Sequence, residues 1–339
     1  MNKLTTLCYI EKDNKYLMLH RIKKENDINH DKWIGVGGKF EWGESPEECM
    51  LREVREETGY TLTSWQYRGI ITFVLGEDTV EYMSLFTADG FEGTPIDCNE
   101  GVLEWVEKDR ISELNLWEGD RIFFRLLEEQ KEFFSLKLVY NKQDILEQAV
   151  LDAKELELFD ILNEDGSKTG VVKERGVAHR EGALHGTVHI WIVRENDKSG
   201  YDVLLQKRSD NKDSYPGCYD ISSAGHISAG DGVMESALRE FEEELGLSAQ
   251  PEQLELFGTT LVKFGTTFAG KIFRDNEFSN DFVYRQPVDI GKLKLQESEV
   301  AEVCWMAYEE CREKIADVEI PNCINPEEFE KLGSYLGIC

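Results

Sequence analysis

One pattern occurs twice in this chain, and it decides what the chain can fold into. Gly38–Tyr60 reads GKFEWGESPEECMLREVREETGY and Gly225–Leu247 reads GHISAGDGVMESALREFEEELGL, 187 residues apart. Solenoid repeats recur every 20–50 residues or so. A period this long instead means two related domains, which suits 339 residues at roughly 150 per domain. We expect the domains at 1–150 and 155–339. Their join should fall in Asn141–Leu158, a polar, helix-favouring stretch without Gly or Pro.

The net charge of -29 excludes whole function classes. Polymeric nucleic acid and anionic membranes both require basic surface. The acidity is not a tail: residues 1–150 hold 18 bases and 30 acids, and the rest hold 20 and 37. A small anionic substrate stays possible, because a divalent cation reconciles acidic protein with phosphate. No run of 18 apolar residues is present, and Met1–Thr6 lacks the apolar core of a signal peptide. The eight cysteines include no C-x-x-C pair. We therefore expect a reduced, cytoplasmic protein; its oligomeric state is open.

The coarse pattern is mixed α/β. Thr5–Ile10 and Tyr16–His20 precede the first motif as strands. Ile70–Leu75 and Val80–Thr87 follow as a hairpin around Gly76-Glu77-Asp78, then a strand at Val102–Val106 and a helix over Asp120–Gln130. In the second half, Thr187–Val193 and Asp202–Gln206 precede the motif. Leu254–Lys263, Asp281–Arg285 and Val300–Met306 follow as strands, then a helix at Tyr308–Ala316.

The motif carries the chemistry. Ser45 reads as an N-cap, Pro46 as the first helical residue, Glu48 as the partner in a capping box and Gly59 as the left-handed stop. On that helix Glu53, Glu56 and Glu57 stand at i, i+3 and i+4, on one face. Like charges at that spacing cost roughly 0.2–0.5 kcal/mol per pair. Carboxylates at a helix C-terminus cost about 0.3–1 kcal/mol each. A solvated acidic helix would tolerate both costs; a bound Mg²⁺ or Mn²⁺ would remove them. Glu240, Glu243 and Glu244 repeat the layout, with Gly246 as the stop and Glu235 in the place of Glu48. Gly232 replaces Ser45, which weakens that cap unless Asp231 serves.

The whole pattern resembles the Nudix box, G-x5-E-x7-R-E-U-x-E-E-x-G-U, with U a bulky apolar residue. Gly38, Glu44, Arg52, Glu53, Val54, Glu56, Glu57 and Gly59 match, with Tyr60 in the last place. The second copy matches at Gly225, Arg239, Glu240, Phe241, Glu243, Glu244, Gly246 and Leu247, and departs at Asp231, where the family has Glu. The resemblance implies an α/β/α sandwich around a mixed sheet in each half. It also implies a hydrolase that cleaves nucleoside diphosphates linked to another moiety, using Mg²⁺ or Mn²⁺. Glu53, Glu56 and Glu57, with Gly38 beside them, would hold metal and activate water, as would Glu240, Glu243 and Glu244. Arg52 with Glu44, and Arg239 with Asp231, would brace loop and helix.

The first half is further similar to MutT-type 8-oxo-dGTP diphosphatases, through Asp31–Lys39, Gly93-Thr94-Pro95 and Leu116–Asp120. That likeness implies that Trp117 and Asp120 contact an oxidised purine and that Phe73 walls the pocket. It also implies that Glu100 joins the metal site. A Trp face stacks on a base for about 1–3 kcal/mol, although Trp117 could equally be a core aromatic. Lys39 belongs to the same run. Arg21, Lys23 and Lys24 would reach the triphosphate or remain solvated loop charges. Gly119 and Ile34 depart from the human-type pattern, which leaves the preferred purine open.

The second half resembles the branch around type I isopentenyl-diphosphate isomerases, through Leu158–Gly166 and Ala178–Trp191. The isomerase nucleophile would stand at Ala224, and the acidic pair is not intact around Asn280-Asp281, so a hydrolase is expected instead. His179, His185 and His226 fall where that family holds an extra metal. With the acids missing, structural histidines are the expectation, and His189 reads as strand packing. Glu299 or Glu302 would complete the second metal site. The rival readings are a second domain that binds rather than turns over, and a general housecleaning pyrophosphatase.

Overall fold

The computed structural model describes residues 3–23, 27–129, 132–197, 200–212, 214–268, 271–316 and 319–338. Lys24 and Gln130 lie outside them. The chain divides into two compact units, Met1–Leu158 with Val171–Val177, and Phe159–Gly170 with Ala178–Cys339.

The first unit holds β1 (Lys3–Lys12), β2 (Lys15–His20), β3 (Trp33–Ile34), α1 (Pro46–Thr58), β4 (Tyr60–Leu75), β5 (Thr79–Gly93), β6 (Val102–Glu107), α2 (Glu118–Glu128), β7 (Phe134–Tyr140), β8 (Leu146–Leu151) and β9 (Lys154–Glu155). These strands form one mixed sheet in the order β3-β2-β1-β5-β4-β7-β8-β9, with β6 beside β2. The β1/β5 and β4/β7 pairs are parallel. Thr5–Ile10 of β1 is buried without interruption, as a strand covered on both faces should be. Alternate side chains of β1 serve opposite layers. Cys8 and Ile10 pack with Met50 and Val54 of α1. Tyr9 faces the other way, with ring centroids 5.7 and 4.7 Å from Phe123 and Phe124 of α2.

The second unit repeats this plan. It contains β10 (Leu158–Leu162), β11 (Lys168–Glu174), α3 (Arg175–Glu181), β12 (His185–Glu195), β13 (Tyr201–Arg208), β14 (Tyr219–Asp220), β15 (Ser223–His226) and α4 (Val233–Leu245). Then come β16 (Leu254–Phe268), β17 (Lys271–Tyr284), β18 (Val300–Ala307), α5 (Tyr308–Ala316) and α6 (Pro326–Leu336). The first residue of β10 and the last four of β11, with α3 up to Val177, cluster with the first unit. The central strand β12 pairs with β10, β13, β15 and β17, the last in parallel. Its even-numbered residues Val188, Ile190 and Ile192 pack on Ala237, Phe241 and Leu245 of α4. Its odd-numbered Trp191 and Val193 pack on Tyr308, Phe329 and Leu332 of α5 and α6. The expected α/β class, a mixed sheet between helices in each half, is what forms.

The stretch expected to be a polar, helix-favouring join is instead strand. Residues 146–151 form β8, antiparallel to β7. Leu146 and Ala149 are buried, and β7 buries Phe134, Leu136, Leu138 and Tyr140 on alternate positions. Glu and Gln favour helix only weakly, and pairing with an apolar strand overrides that preference. Among the described residues, no helix is long and apolar enough to cross a membrane.

Candidate functional site

The helix α1 begins as its caps require. The Ser45 hydroxyl accepts from Glu48 N at 3.2 Å, and Ser45 N donates to the Glu48 carboxylate at 2.8 Å. Gly59 ends the helix at φ 77°, a left-handed conformation that glycine adopts without strain. Arg52 organises the acidic face. Its Nε and Nη2 hold both Glu44 oxygens at 2.7 and 2.9 Å. Its Nη1 reaches Glu53 at 2.8 Å and Glu56 at 3.3 Å, and its Nη2 donates to the Lys39 carbonyl at 3.0 Å. Gly38 is glycine because a Cβ there would meet the Glu53 carboxyl carbon at 2.3 Å. The Lys39 side chain is exposed.

The three carboxylates are not equivalent. Glu56 is 61 % exposed, whereas Glu57 is 8 % exposed and accepts from Gly37 N at 3.2 Å. Burial first, and the neighbouring Glu100 second, push the Glu57 carboxyl up to about 8. Glu100 is therefore near enough to Glu57 to act on its charge. Arg21 is not a solvated loop charge in this structure. It is paired with Glu100 and Asp27, and its side chain is 12 % exposed. A half-buried pair of carboxylates beside β2 holds this guanidinium more strongly than solvent would. Lys23 donates to the Cys98 carbonyl at 2.6 Å.

The second box repeats these contacts at the same 187-residue offset. Arg239 Nη1 reaches Glu240 at 2.7 Å and Glu243 at 3.5 Å, and its Nη2 donates to the His226 carbonyl at 3.1 Å. Ala224 N donates to Glu244 at 3.1 Å, the counterpart of Gly37 on Glu57. A Cβ on Gly225 would meet the Glu240 carboxyl carbon at 2.0 Å. Gly246 closes α4 at φ 67°. Burial pushes the Glu244 carboxyl up to about 7. Two features differ. The N-cap Gly232 makes no side-chain cap, so Asp231 does not serve in its place. Among the described residues Asp231 has no ion pair with Arg239; it is one methylene shorter than Glu44. Glu299 is paired with Lys212, and Glu302 with Lys207 at 3.4 Å.

Trp117 is enclosed in this structure. It is 4 % exposed. Phe73 and Tyr140 meet its ring edge to face, at centroid distances of 5.1 and 5.0 Å. Lys32 Nζ lies 4.8 Å from its centroid, and its indole N–H donates to Asn29 at 2.8 Å. A ring of this size in an aromatic cluster under an ammonium gains both burial and cation–π attraction. Asp120 lies in the first turn of α2 that Trp117 caps, and burial pushes its carboxyl up to about 7, against Lys32 and Arg121.

The NUDIX domain model matches residues 1–127 and 183–322, most of the chain and both boxes. The chain belongs to the NUDIX family. Nudix hydrolase 3 of Arabidopsis thaliana is 43 % identical over 176 residues, half of this chain, which spans only 22 % of that relative. The oxidized purine nucleoside triphosphate hydrolase of Danio rerio is 30 % identical over 155 residues, 45 % of this chain and 97 % of that protein. Among solved structures, a MutT protein from Bacillus halodurans is 28 % identical and covers 44 % of this chain and 97 % of its own, with a TM-score of 0.40.

The second Nudix unit also contains a centre that its sequence pattern understates. Ring nitrogens of His179, His185 and His226 lie within 4.8 Å of one another, and so do donor atoms of His185, Asp275 and Glu277. Their Nε2 atoms are shielded from solvent. His179 Nε2 is 3.6 Å from Asp275, and His226 Nε2 is 3.7 Å from Glu277. His185 Nδ1 lies 2.9 Å from the Ala183 carbonyl. A carbonyl can only accept, so Nδ1 carries a proton, and Nε2 is the nitrogen left to act as a ligand. The acids thought missing are present, five residues before the place where they were sought. Parallel pairing sets Glu277 opposite His185, and antiparallel pairing sets His226 opposite Thr187. Asp275 and Glu277 are two apart on a strand and so share a face. That Asp-x-Glu pattern was the available signal. Three imidazoles and two carboxylates suit a transition metal better than Mg²⁺. Among the described residues, the groups of three donors that meet within 4.8 Å all lie in this unit. In the first unit Arg52 ties Glu53 and Glu56 together, while Glu57 turns inward to Gly37.

His189 is not simple strand packing either. Its Nδ1 lies 2.8 Å from Glu328, and Glu277 and Asp281 are each 3.9 Å from its ring nitrogens. Burial pulls its pKa down, but these carboxylates outweigh it and hold the ring protonated up to about 10.

Proposed function

We propose that the chain is a cytoplasmic tandem Nudix pyrophosphohydrolase, with catalytic domains at 1–150 and 155–339. In this reading the first domain hydrolyses an oxidised purine nucleoside triphosphate, 8-oxo-dGTP and water giving 8-oxo-dGMP and pyrophosphate. The observation that carries it is the pair of unlike carboxylates on α1. Glu57 is buried against Gly37 with a carboxyl near 8, while Glu56 faces solvent beside Arg52. Glu53, Glu56, Glu57 and Glu100 would be the oxygen donors for Mg²⁺ or Mn²⁺, beside the Gly38 backbone. A cation bound there would supply a water of lowered pKa and neutralise phosphate charge. Glu57, buried beside that site, would be the carboxylate that accepts the proton of the attacking water. Arg52 holds Glu53 and Glu56 in place, and Arg21 is released from Glu100 to meet phosphate.

The purine assignment is supported by the Danio rerio relative's stated substrate and by the Phe73–Trp117–Tyr140 cluster. Lys32 must leave the Trp117 ring for a base to stack there. Asp120, near 7, can give or accept a hydrogen bond at a purine edge. The cysteines described are all free thiols, which suits a reducing compartment.

The second domain uses Glu240, Glu243 and Glu244 in the same way on a different pyrophosphate, with a second cation at His179, His185, His226, Asp275 and Glu277. One observation favours a binding role instead: Asp231 does not reach Arg239, so loop and helix are less firmly braced there. A panel of nucleotides and pyrophosphates tests both domains. Glu56→Gln/Glu57→Gln should abolish 8-oxo-dGTP turnover, and survival of that activity would sink the assignment. Glu243→Gln/Glu244→Gln should abolish a different activity on the panel; no change anywhere would favour binding.

A further inference from the structure

We infer that His189 is the positioning residue of the histidine–carboxylate centre in the second unit, and that the C-terminal helix α6 governs that centre through it. The inference rests on the reading that His179, His185, His226, Asp275 and Glu277 take a cation.

The geometry is a relay of shared carboxylates. Glu277 divides its two oxygens. Oε1 lies 3.7 Å from His226 Nε2, inside the centre, and Oε2 lies 3.9 Å from His189 Nε2, outside it. His189 then turns its other nitrogen to Glu328 Oε2 at 2.8 Å. Glu328 divides its oxygens too, since Oε1 accepts the Trp191 indole N–H at 2.6 Å. Glu328 sits in the first turn of α6, where its backbone N–H donates to the cap Asn325 at 3.2 Å. Strand register makes this possible: on β12, His185, His189 and Trp191 all point to one face.

The outer cluster of His189, Asp281 and Glu328 is not a second metal site, although its donors also lie within 4.8 Å. It is closed by hydrogen bonds. Asp281 takes the Thr260 and Ser279 hydroxyls at 2.6 and 2.5 Å, and Glu328 is filled by His189 and Trp191. His189, held by Glu328 on one side, faces one oxygen of Glu277 on the other and leaves the second oxygen of Glu277 turned to the centre. Groups that orient ligands in this way typically change metal affinity by about 10–100-fold when removed.

The test is Co²⁺ titration of the full-length chain, followed by visible absorption, which reports ligand number and type. His226→Ala should remove the imidazole-dependent band of the wild type. If the two proteins absorb alike, the centre takes no cation and the underlying reading fails. If the band is present, His189→Gln and Glu328→Gln should shift it and weaken Co²⁺ by about 10–100-fold. Lys331→Met, on the same helix and bonded to Thr259 and Thr260, should leave band and affinity unchanged. Glu328→Gln preserves an acceptor for Trp191, so it remains informative if His189→Gln does not fold. A wild-type band and affinity in Glu328→Gln, with only the melting temperature lowered, would reduce the relay to a structural contact and overturn the inference.

Discussion

Glu57 carries a clear pH signature. Its carboxyl is raised from an ordinary 4.5 to about 8, by burial and then by Glu100. The folded protein therefore keeps a proton that the unfolded chain releases. This contribution is full below about pH 4.5 and is lost as the pH rises through 8. In EDTA, wild type should lose on the order of a few kcal/mol across that window, about 1.4 kcal/mol for each pH unit between the two values. Glu57→Gln should match wild type near pH 4.5 and exceed it near pH 8.5, as thermal melts will show. Gly38 makes a different kind of prediction. Because an added Cβ would strike Glu53 at 2.3 Å, Gly38→Ala must displace that carboxylate. A displacement of an ångström at reacting groups costs about 10²-fold, so kcat should fall that far while the fold persists by circular dichroism.

The two box helices differ at their starts, and that difference is measurable. α1 has a complete capping box on Ser45, whereas α4 starts at Gly232 without a side-chain cap. Ser45→Ala should destabilise by about 1 kcal/mol in urea melts. Gly232 has φ −86° and ψ 150°, which serine adopts freely, so Gly232→Ser should stabilise by a few tenths of a kcal/mol. The boundaries of both helices were legible in the sequence because caps are local chemistry. Strands β7 and β8 and helix α6 were not. A strand such as Phe134–Tyr140 is defined by what pairs with it, and β7 lies parallel to a strand more than 60 residues earlier. Tertiary pairing therefore decided against the helix preference of residues 141–158.

For the whole molecule, the net charge of -29 and the two glutamate faces should separate by salt type. Monovalent salt screens the general repulsion. Mg²⁺ at 100 times its dissociation constant adds about 2.7 kcal/mol through any site specific to the folded state. At matched ionic strength, MgCl₂ should raise the melting temperature above NaCl in wild type. The difference should shrink when Glu56, Glu57, Glu243 and Glu244 are all changed to Gln, while the response to NaCl stays.

The sequence alone determined that there are two related domains. It also located both glutamate helices, with the caps and left-handed glycines that bound them, because residues three and four apart on a helix are neighbours by construction. Only the tertiary structure decided which glutamate of each trio is buried, since burial depends on what covers the helix. It also turned Trp117 inward among Phe73 and Tyr140 and tied Arg21 to Glu100. Above all it assembled His179, His185 and His226 with Asp275 and Glu277, and joined His189 to Glu328 across 139 residues. Those meetings depend on strand register and on the packing of α6. Both are set by long-range apolar contacts, which spacing along the chain does not record.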